Sequence, residues 1–175
     1  MNIFALDTCP IKSAQFMCDK HIVKMAIEVA QILSTAHRYL DGIHSVEIIN
    51  GRKKKVWTLS DDRENVLYKT THINHPSTVW ARQTNNNYNW LFCHFVAILD
   101  EYTHRYGKIH ATSRLVDYLR NTPRNIPVGY LQSFACAMDS KYIISDNSVD
   151  NYRNYYKVGK GHLHSWKNRE IPFFI

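Results

Sequence analysis

The sequence predicts a compact, mostly α-helical single domain over residues 1–175, with one small β-hairpin and an irregular C-terminal tail. Three observations predict it. Two long segments, Phe16 to His37 and Asn85 to Tyr106, carry apolar side chains at helical spacing. An Asn50-Gly51 pair stands between two apolar runs, the strongest short-range sign of a hairpin. No internal repeat and no low-complexity linker divides the chain.

Taken in order, Asp7 or Thr8 can cap a first short turn with Pro10 near its start, and the long helix follows to about Leu40, where Asp41-Gly42 stops it. Val46 to Leu59 reads as the hairpin, about residues 46–59, with the basic run Arg52 to Lys55 on its second arm. Such a run usually solvates a sheet edge and blocks strand pairing, and contact with phosphate is the alternative. Asp61 to Tyr68 is a short helix, and Asn74-His75-Pro76 opens another with Asn74 as cap. Asn85 to Tyr106 is the second long helix, with Tyr88, Phe92, Phe95, Leu99, Tyr102 and Tyr106 as its core stripe and Gly107 as its end. Ile109 to Arg120 is a further helix ended by Pro123 and Pro127. Gly129 to Asp146 is ambiguous, Ser148 to Lys157 is a short helix capped by Ser148, and residues 158–175 are irregular.

Bulk properties narrow the function. A hydrophobic content of 45% and an aromatic content of 13% exclude a disordered chain. No apolar run approaches the roughly 20 residues of a membrane span, and the start of the chain lacks the pattern of a signal peptide, so a cytoplasmic location is expected. Cys9, Cys18, Cys93 and Cys136 are widely scattered and read as reduced core thiols rather than zinc ligands. The net charge of +7 favours polyanionic partners such as DNA, RNA or phosphorylated small molecules. Pairs such as His72/His75 and His162/His164 lack the companions of a metal site, and neither metal nor cofactor is expected.

The first long helix holds the most informative pattern. His21, Lys24, Glu28, Gln31 and Thr35 recur at steps of three and four on one face, while the rest is largely apolar. Burying such groups without partners costs roughly 2–7 kcal/mol each, and more for a charge. The stripe therefore lines a cavity or belongs to an internal ion-pair network (Lys24 with Glu28 at i,i+4). On the second long helix Asn87, His94, Glu101 and Arg105 form another polar line that could face the first. Cys18 and His21 stand three apart, a spacing open to a thiolate–imidazole pair, although a free cysteine more often packs in a core. Near the C-terminus Tyr152, Arg153, Tyr155, Tyr156, Lys157, Lys160, His162, His164, Trp166, Lys167 and Arg169 interleave aromatic and basic side chains. Aromatic rings can stack on bases while cations meet phosphates. The alternative is that Tyr152, Tyr156 and Trp166 anchor the tail. Arg105, Lys108 and His110 form a second basic group around Gly107.

The stretches Cys18 to Lys24, Ser34 to Arg38, Asn74 to Arg82 and Glu101 to His110 resemble a family of small bacteriophage proteins of largely unassigned role, and the likeness extends to Tyr152-Arg153, Tyr155-Tyr156 and Trp166. The start of the chain, the first long helix, Asn74-His75-Pro76 and the helix ending in Arg105-Tyr106-Gly107 also resemble the pyrimidine-dimer glycosylases of the phage endonuclease V type. That family works through a free N-terminal α-amine that forms a Schiff base, helped by a glutamate on the first helix. Here residue 2 is Asn, bulky enough for Met1 to be retained, and alignment sets Ile22, beside His21, where the glutamate belongs, with Glu28 the nearest carboxylate beyond.

Two readings follow. In the first, the chain binds a phosphate-bearing nucleotide in a basic, aromatic cleft and sequesters it, as a messenger sponge of the anti-CBASS type would hold a cyclic dinucleotide in an infected bacterial host. His21, Lys24, Arg105 and His110 would meet phosphate; Tyr152, Tyr156 and Trp166 would cover bases; Glu28 and Glu101 would accept hydrogen bonds. His75, Arg82, Arg153 and Lys160 complete the candidate set. In the second, the chain is a DNA glycosylase of the endonuclease V type, with Glu28, Asp19 or His21 as general acid or base. Inhibition of a host protein is a third possibility, marked by an exposed apolar patch.

Overall fold

The computed structural model describes residues 1–175. Its order is α1 (Pro10–Phe16), α2 (Asp19–Asp41), β1 (Ile43–Ile49), β2 (Arg52–Thr58), α3 (Arg63–Val66), α4 (Pro76–Ala81), α5 (Asn85–Tyr106), α6 (Val116–Leu119) and α7 (Ser148–Asn154), joined by short 3₁₀ turns, with a π turn over Tyr155–Gly159. The fold is thus mostly α with one antiparallel hairpin, as the periodicity predicts. The two long helices pack on each other and supply nearly half of the core, including Ile22, Met25, Val29, Ile32 and Leu33 from α2, and Tyr88, Leu91, Phe95 and Ile98 from α5. No helix is long and apolar enough to cross a membrane.

Local signals set the element ends. Thr84 accepts a hydrogen bond from the Asn87 N–H at the start of α5, and Gly107 ends that helix in the left-handed conformation at φ +65°. Asn50 and Gly51 take φ +52° and +73°, as a two-residue hairpin turn requires, and set the register that runs from Ile43 opposite Thr58 to Ile49 opposite Arg52.

Several sequence expectations shift. His75, not Asn74, caps α4, its Nδ1 accepting from the Ser77 N–H at 3.3 Å. Asn147, not Ser148, caps α7, because the Ser148 hydroxyl accepts from the Phe134 N–H instead. The helix expected from Ile109 to Arg120 is a 3₁₀ turn followed by one α turn, and the one expected from Asp61 to Tyr68 contracts to Arg63–Val66. Of the four thiols only Cys18 is buried, and Cys93 is exposed.

The largest departure is at the start of the chain. Ile3, Phe4, Ala5 and Leu6 belong to no helix or strand, yet they are buried in the core. Backbone threaded through a core without a ladder must find its partners among side chains. Asn2 Oδ1 accepts from the Ile3 and Phe4 N–H groups, the Ser13 hydroxyl donates to Phe4 O and accepts from Leu6 N–H, Arg153 Nε donates to Leu6 O, and a ring nitrogen of His94 lies 3.2 Å from Ile3 O. These bonds hold Phe4 at φ +42°, a left-handed conformation that a bulky residue adopts only when its surroundings impose it.

Candidate active site

The polar stripe of α2 meets the start of the chain. Glu28 Oε2 accepts a hydrogen bond from the Asn2 N–H at 3.1 Å and lies 3.8 Å from the Met1 α-amine, while Oε1 pairs with Lys24 Nζ at 3.1 Å. Asn2 is fixed in turn by its own side chain, whose amide donates to Ala137 O at 2.9 Å. The carboxylate is only 15% exposed, whereas Lys24 stands free in solvent. Val23 and Ile27 are also exposed, on other faces of α2, so the exposed group at Glu28 itself is the Lys24 cation.

His75 borders the same corner from the N-cap of α4. Burial lowers its basicity, the Met1 α-amine and His72 lower it further, and Glu28 opposes them. Further along the stripe Thr35 is closed off, exchanging hydrogen bonds with the Thr71 backbone. His21 is closed off at the other end. It is buried, stacks on Phe4 at 4.3 Å and receives the Tyr156 hydroxyl proton on Nδ1 at 2.7 Å. The Cys18 N–H donates to that same hydroxyl, and Cys18 packs in the core as expected of a free cysteine, with the tyrosine rather than the thiol partnering the imidazole. Burial and the nearby Lys160 and Lys24 push the His21 pKa down to about 4, so it is neutral at physiological pH.

The second polar line is consumed inside the fold at Glu101 and Arg105. Arg105, fully buried, donates Nε to Glu101 at 2.7 Å, Nη1 to Asp19 at 2.9 Å and Nη2 to Gln15 O at 3.0 Å. Arg169 from the tail binds Glu101 through Nε at 2.9 Å and Nη2 at 2.8 Å. Asp19 also accepts from Ser165 and from the Lys167 backbone. Burial alone would raise both carboxyls, but these partners hold both below the ordinary carboxylate range. Every donor direction of Arg105 faces protein, and none remains for a phosphate.

The aromatic and basic residues of the C-terminal segment are likewise spent on the fold. Tyr152 is buried and donates to Ala135 O at 2.6 Å; Tyr156 is buried against Phe4 and His21. Trp166 donates Nε1–H to Phe16 O, which pins the tail to α1. Arg153 lies over the Phe173 and Phe174 rings and pairs with Asp7, and Lys160 lies over Tyr155. Arg82 braces Ile73 O and sits 4.2 Å above the Tyr39 ring, and His110 caps the turn at Ala111. Of the two readings of Tyr152, Tyr156 and Trp166, tail anchoring fits better: both tyrosines are fully buried and the indole N–H of the half-buried Trp166 holds the tail to α1.

Of the candidate set, then, Lys24, Glu28 and His75 gather at one corner with the Met1 α-amine. Asp19, Glu101 and Arg105 gather at another, and the rest disperse. Sequence reading missed Asn2 and Phe4, which aim the start of the chain. It also set Ile22 in the place of a helper glutamate, whereas Ile22 is fully buried and Glu28, two turns on, meets the amine. Comparison with known families gives one match. The sequence model of the family described as pyrimidine dimer DNA glycosylase matches residues 1–115, a span holding Met1, Glu28 and His75. No curated protein and no solved structure matches the chain.

Proposed function

This chain belongs to the pyrimidine dimer DNA glycosylase family, and from that premise we propose that it excises damaged pyrimidines from DNA using its N-terminal α-amine as nucleophile and Glu28 as the acid/base partner. The observation that carries the reading is the approach of Glu28 Oε2 to both Met1 N and Asn2 N. Whether the mature chain begins at Met1 or at Asn2, its leading nitrogen stands beside that carboxylate.

The chemistry suits the pair. An α-amine is intrinsically less basic than a lysine side chain, which suits the leading nitrogen to act as a nucleophile. Attack by its lone pair on the sugar C1′ forms a C–N bond as the bond to the base breaks, and the base departs with its electron pair and takes a proton. Loss of the amine protons and opening of the sugar ring give an imine. Glu28 supports this by accepting a proton from the amine and returning it to the ring oxygen, a role worth about 10²–10⁴-fold for a well-placed acid/base. Lys24 pairs with the carboxylate and faces solvent where a phosphate would pass.

The family match supports this excision alternative over sequestration of a cyclic nucleotide, and the burial of Tyr152 and Tyr156 removes the stacking surface that sequestration required. The test is incubation with a duplex carrying a single pyrimidine dimer, followed by borohydride reduction. The expected result is a covalent protein–DNA adduct that maps to the N-terminal peptide, with intact-mass measurement giving the leading residue. Release of no base and formation of no adduct by the wild-type chain would overturn the proposal.

A further inference from the structure

The β1–β2 hairpin has no part in the chemistry at Glu28, yet its build is not that of a passive edge. The pairing register places His44, Val46 and Ile48 of β1 beside Trp57, Lys55 and Lys53 of β2 on one face. The single carboxylate of the two strands, Glu47, lies opposite Lys54 on the other face. The first face therefore carries two lysines, a histidine and two exposed aliphatic side chains, Val46 at 58% and Ile48 at 76%, with no acid among them. None of Arg52, Lys53, Lys54 and Lys55 forms an ion pair within the fold.

A bare two-stranded hairpin is marginal in water, but this one is clamped at its base. Arg38, fully buried in α2, donates Nη1 to Trp57 O, and Glu64 accepts the Leu59 N–H. Trp57 stacks between His44 at 4.7 Å and Tyr39 at 5.6 Å. Tyr39 is the link to the candidate active site. It lies 11 residues beyond Glu28 on α2, which at 100° per residue returns it to within about 20° of the same helical face, about 16 Å along the axis. Trp57, at the base of the lysine face, thus stands against the side of α2 that carries Glu28, and Lys55 and Lys53 follow it outward along β2.

We propose that this hairpin face is a second DNA contact, seated in a groove of the duplex beside the lesion, with Lys53 and Lys55 on phosphates and Val46 and Ile48 against base edges; the proposal rests on the excision reading for its choice of duplex DNA. A two-stranded ribbon is of the size that the major groove admits, and aliphatic side chains there meet thymine methyl groups.

The experiment is fluorescence anisotropy of a labelled 20-base-pair duplex between about 50 and 200 mM salt, for the wild type, K53Q/K55Q and the opposite-face variant K54Q. Each phosphate contact contributes about 0.9 to the slope of log affinity against log salt. The expected result is a slope shallower by nearly two and affinity at least about tenfold weaker at low salt for K53Q/K55Q, with K54Q close to wild type and melting temperatures alike. An unchanged slope, an equal loss from K54Q, or wild-type binding to single strands as tight as to duplex would overturn the proposal. Failure of the excision reading has a different signature: no borohydride adduct from a wild-type chain whose lysine-dependent duplex binding persists.

Discussion

Two ionic corners of this molecule draw on the same helix and use similar residue types, yet they do opposite work. At the Asp19 end of α2, Arg105, Glu101 and Asp19 saturate one another and the backbone around them, with Arg169 closing the outer side of Glu101. At Glu28 the carboxylate meets one solvent-exposed lysine, one backbone N–H and one α-amine. The lesson is that a cluster of ionisable groups marks a site only where its valences are left unspent. A saturated cluster holds the fold; an incompletely satisfied one that reaches solvent can accept a substrate.

Substitutions separate the two corners. Arg105→Ala removes the buried cation between Glu101 and Asp19, leaving Glu101 to Arg169 alone and Asp19 to neutral donors, and it is expected to cost about 3–5 kcal/mol, a melting temperature lower by roughly 6–20 °C in a calorimetric scan. Melting like wild type would mean that the cluster is not structural. Glu28→Gln keeps size and hydrogen bonding, so the melting temperature should hold within a few degrees while excision of a dimer falls by about 10²-fold or more in a single-turnover assay. Equal activity in that variant would move the acid/base role elsewhere.

Acidification reads the buried groups. Burial holds His21, His37 and His94 near pKa 4 against an ordinary value of 6.5, with Arg63 adding to the effect at His37 and the Pro10 and Ile3 carbonyls opposing it at His94. The unfolded chain binds these protons first, so their contribution is complete above about pH 6.5 and is lost as pH falls toward 4. Glu64 follows lower down. Burial alone would raise it, but Lys69, the Leu59 N–H and Arg38 hold it at about 2, so its contribution fades from about pH 4.5 toward 2. Melting temperature should therefore decline in two stages, and a curve flat from pH 6.5 to 4 would show that the histidines are not neutral in the fold.

Tyr156→Phe removes the bonds to Cys18 N–H and His21, for an expected loss of about 1–3 kcal/mol with adduct formation retained at 25 °C. Lys24→Ala breaks an exposed i,i+4 pair and should change stability by no more than about 0.5 kcal/mol by thermal melting.

Much of the fold was legible in the sequence because its signals are local. The bounds of α5 follow from the side-chain cap at Thr84 and the glycine at 107, and the hairpin follows from Asn50-Gly51. Where one local signal competed with another the reading slipped by a residue, as at His75 against Asn74 and at Asn147 against Ser148, since which side chain turns back onto the backbone depends on what else it can bond. The candidate site was half legible. The α2 stripe pointed to Lys24 and Glu28, but Arg105 and Tyr156 carried the same compositional signature and turned out to be consumed by the fold.

By itself the sequence determined the two long helices, the hairpin and its register, and the polar line on which Glu28 lies, because periodicity, caps and turn residues act within a few positions of the chain. Only the tertiary structure decided that Asn2, 26 residues away, comes to Glu28 while Ile22 turns into the core. It alone decided that Arg105 is spent within the protein. Both depend on how the irregular, buried start of the chain is threaded between α2 and α5, and no repeating pattern encodes a path whose hydrogen bonds are made one side chain at a time.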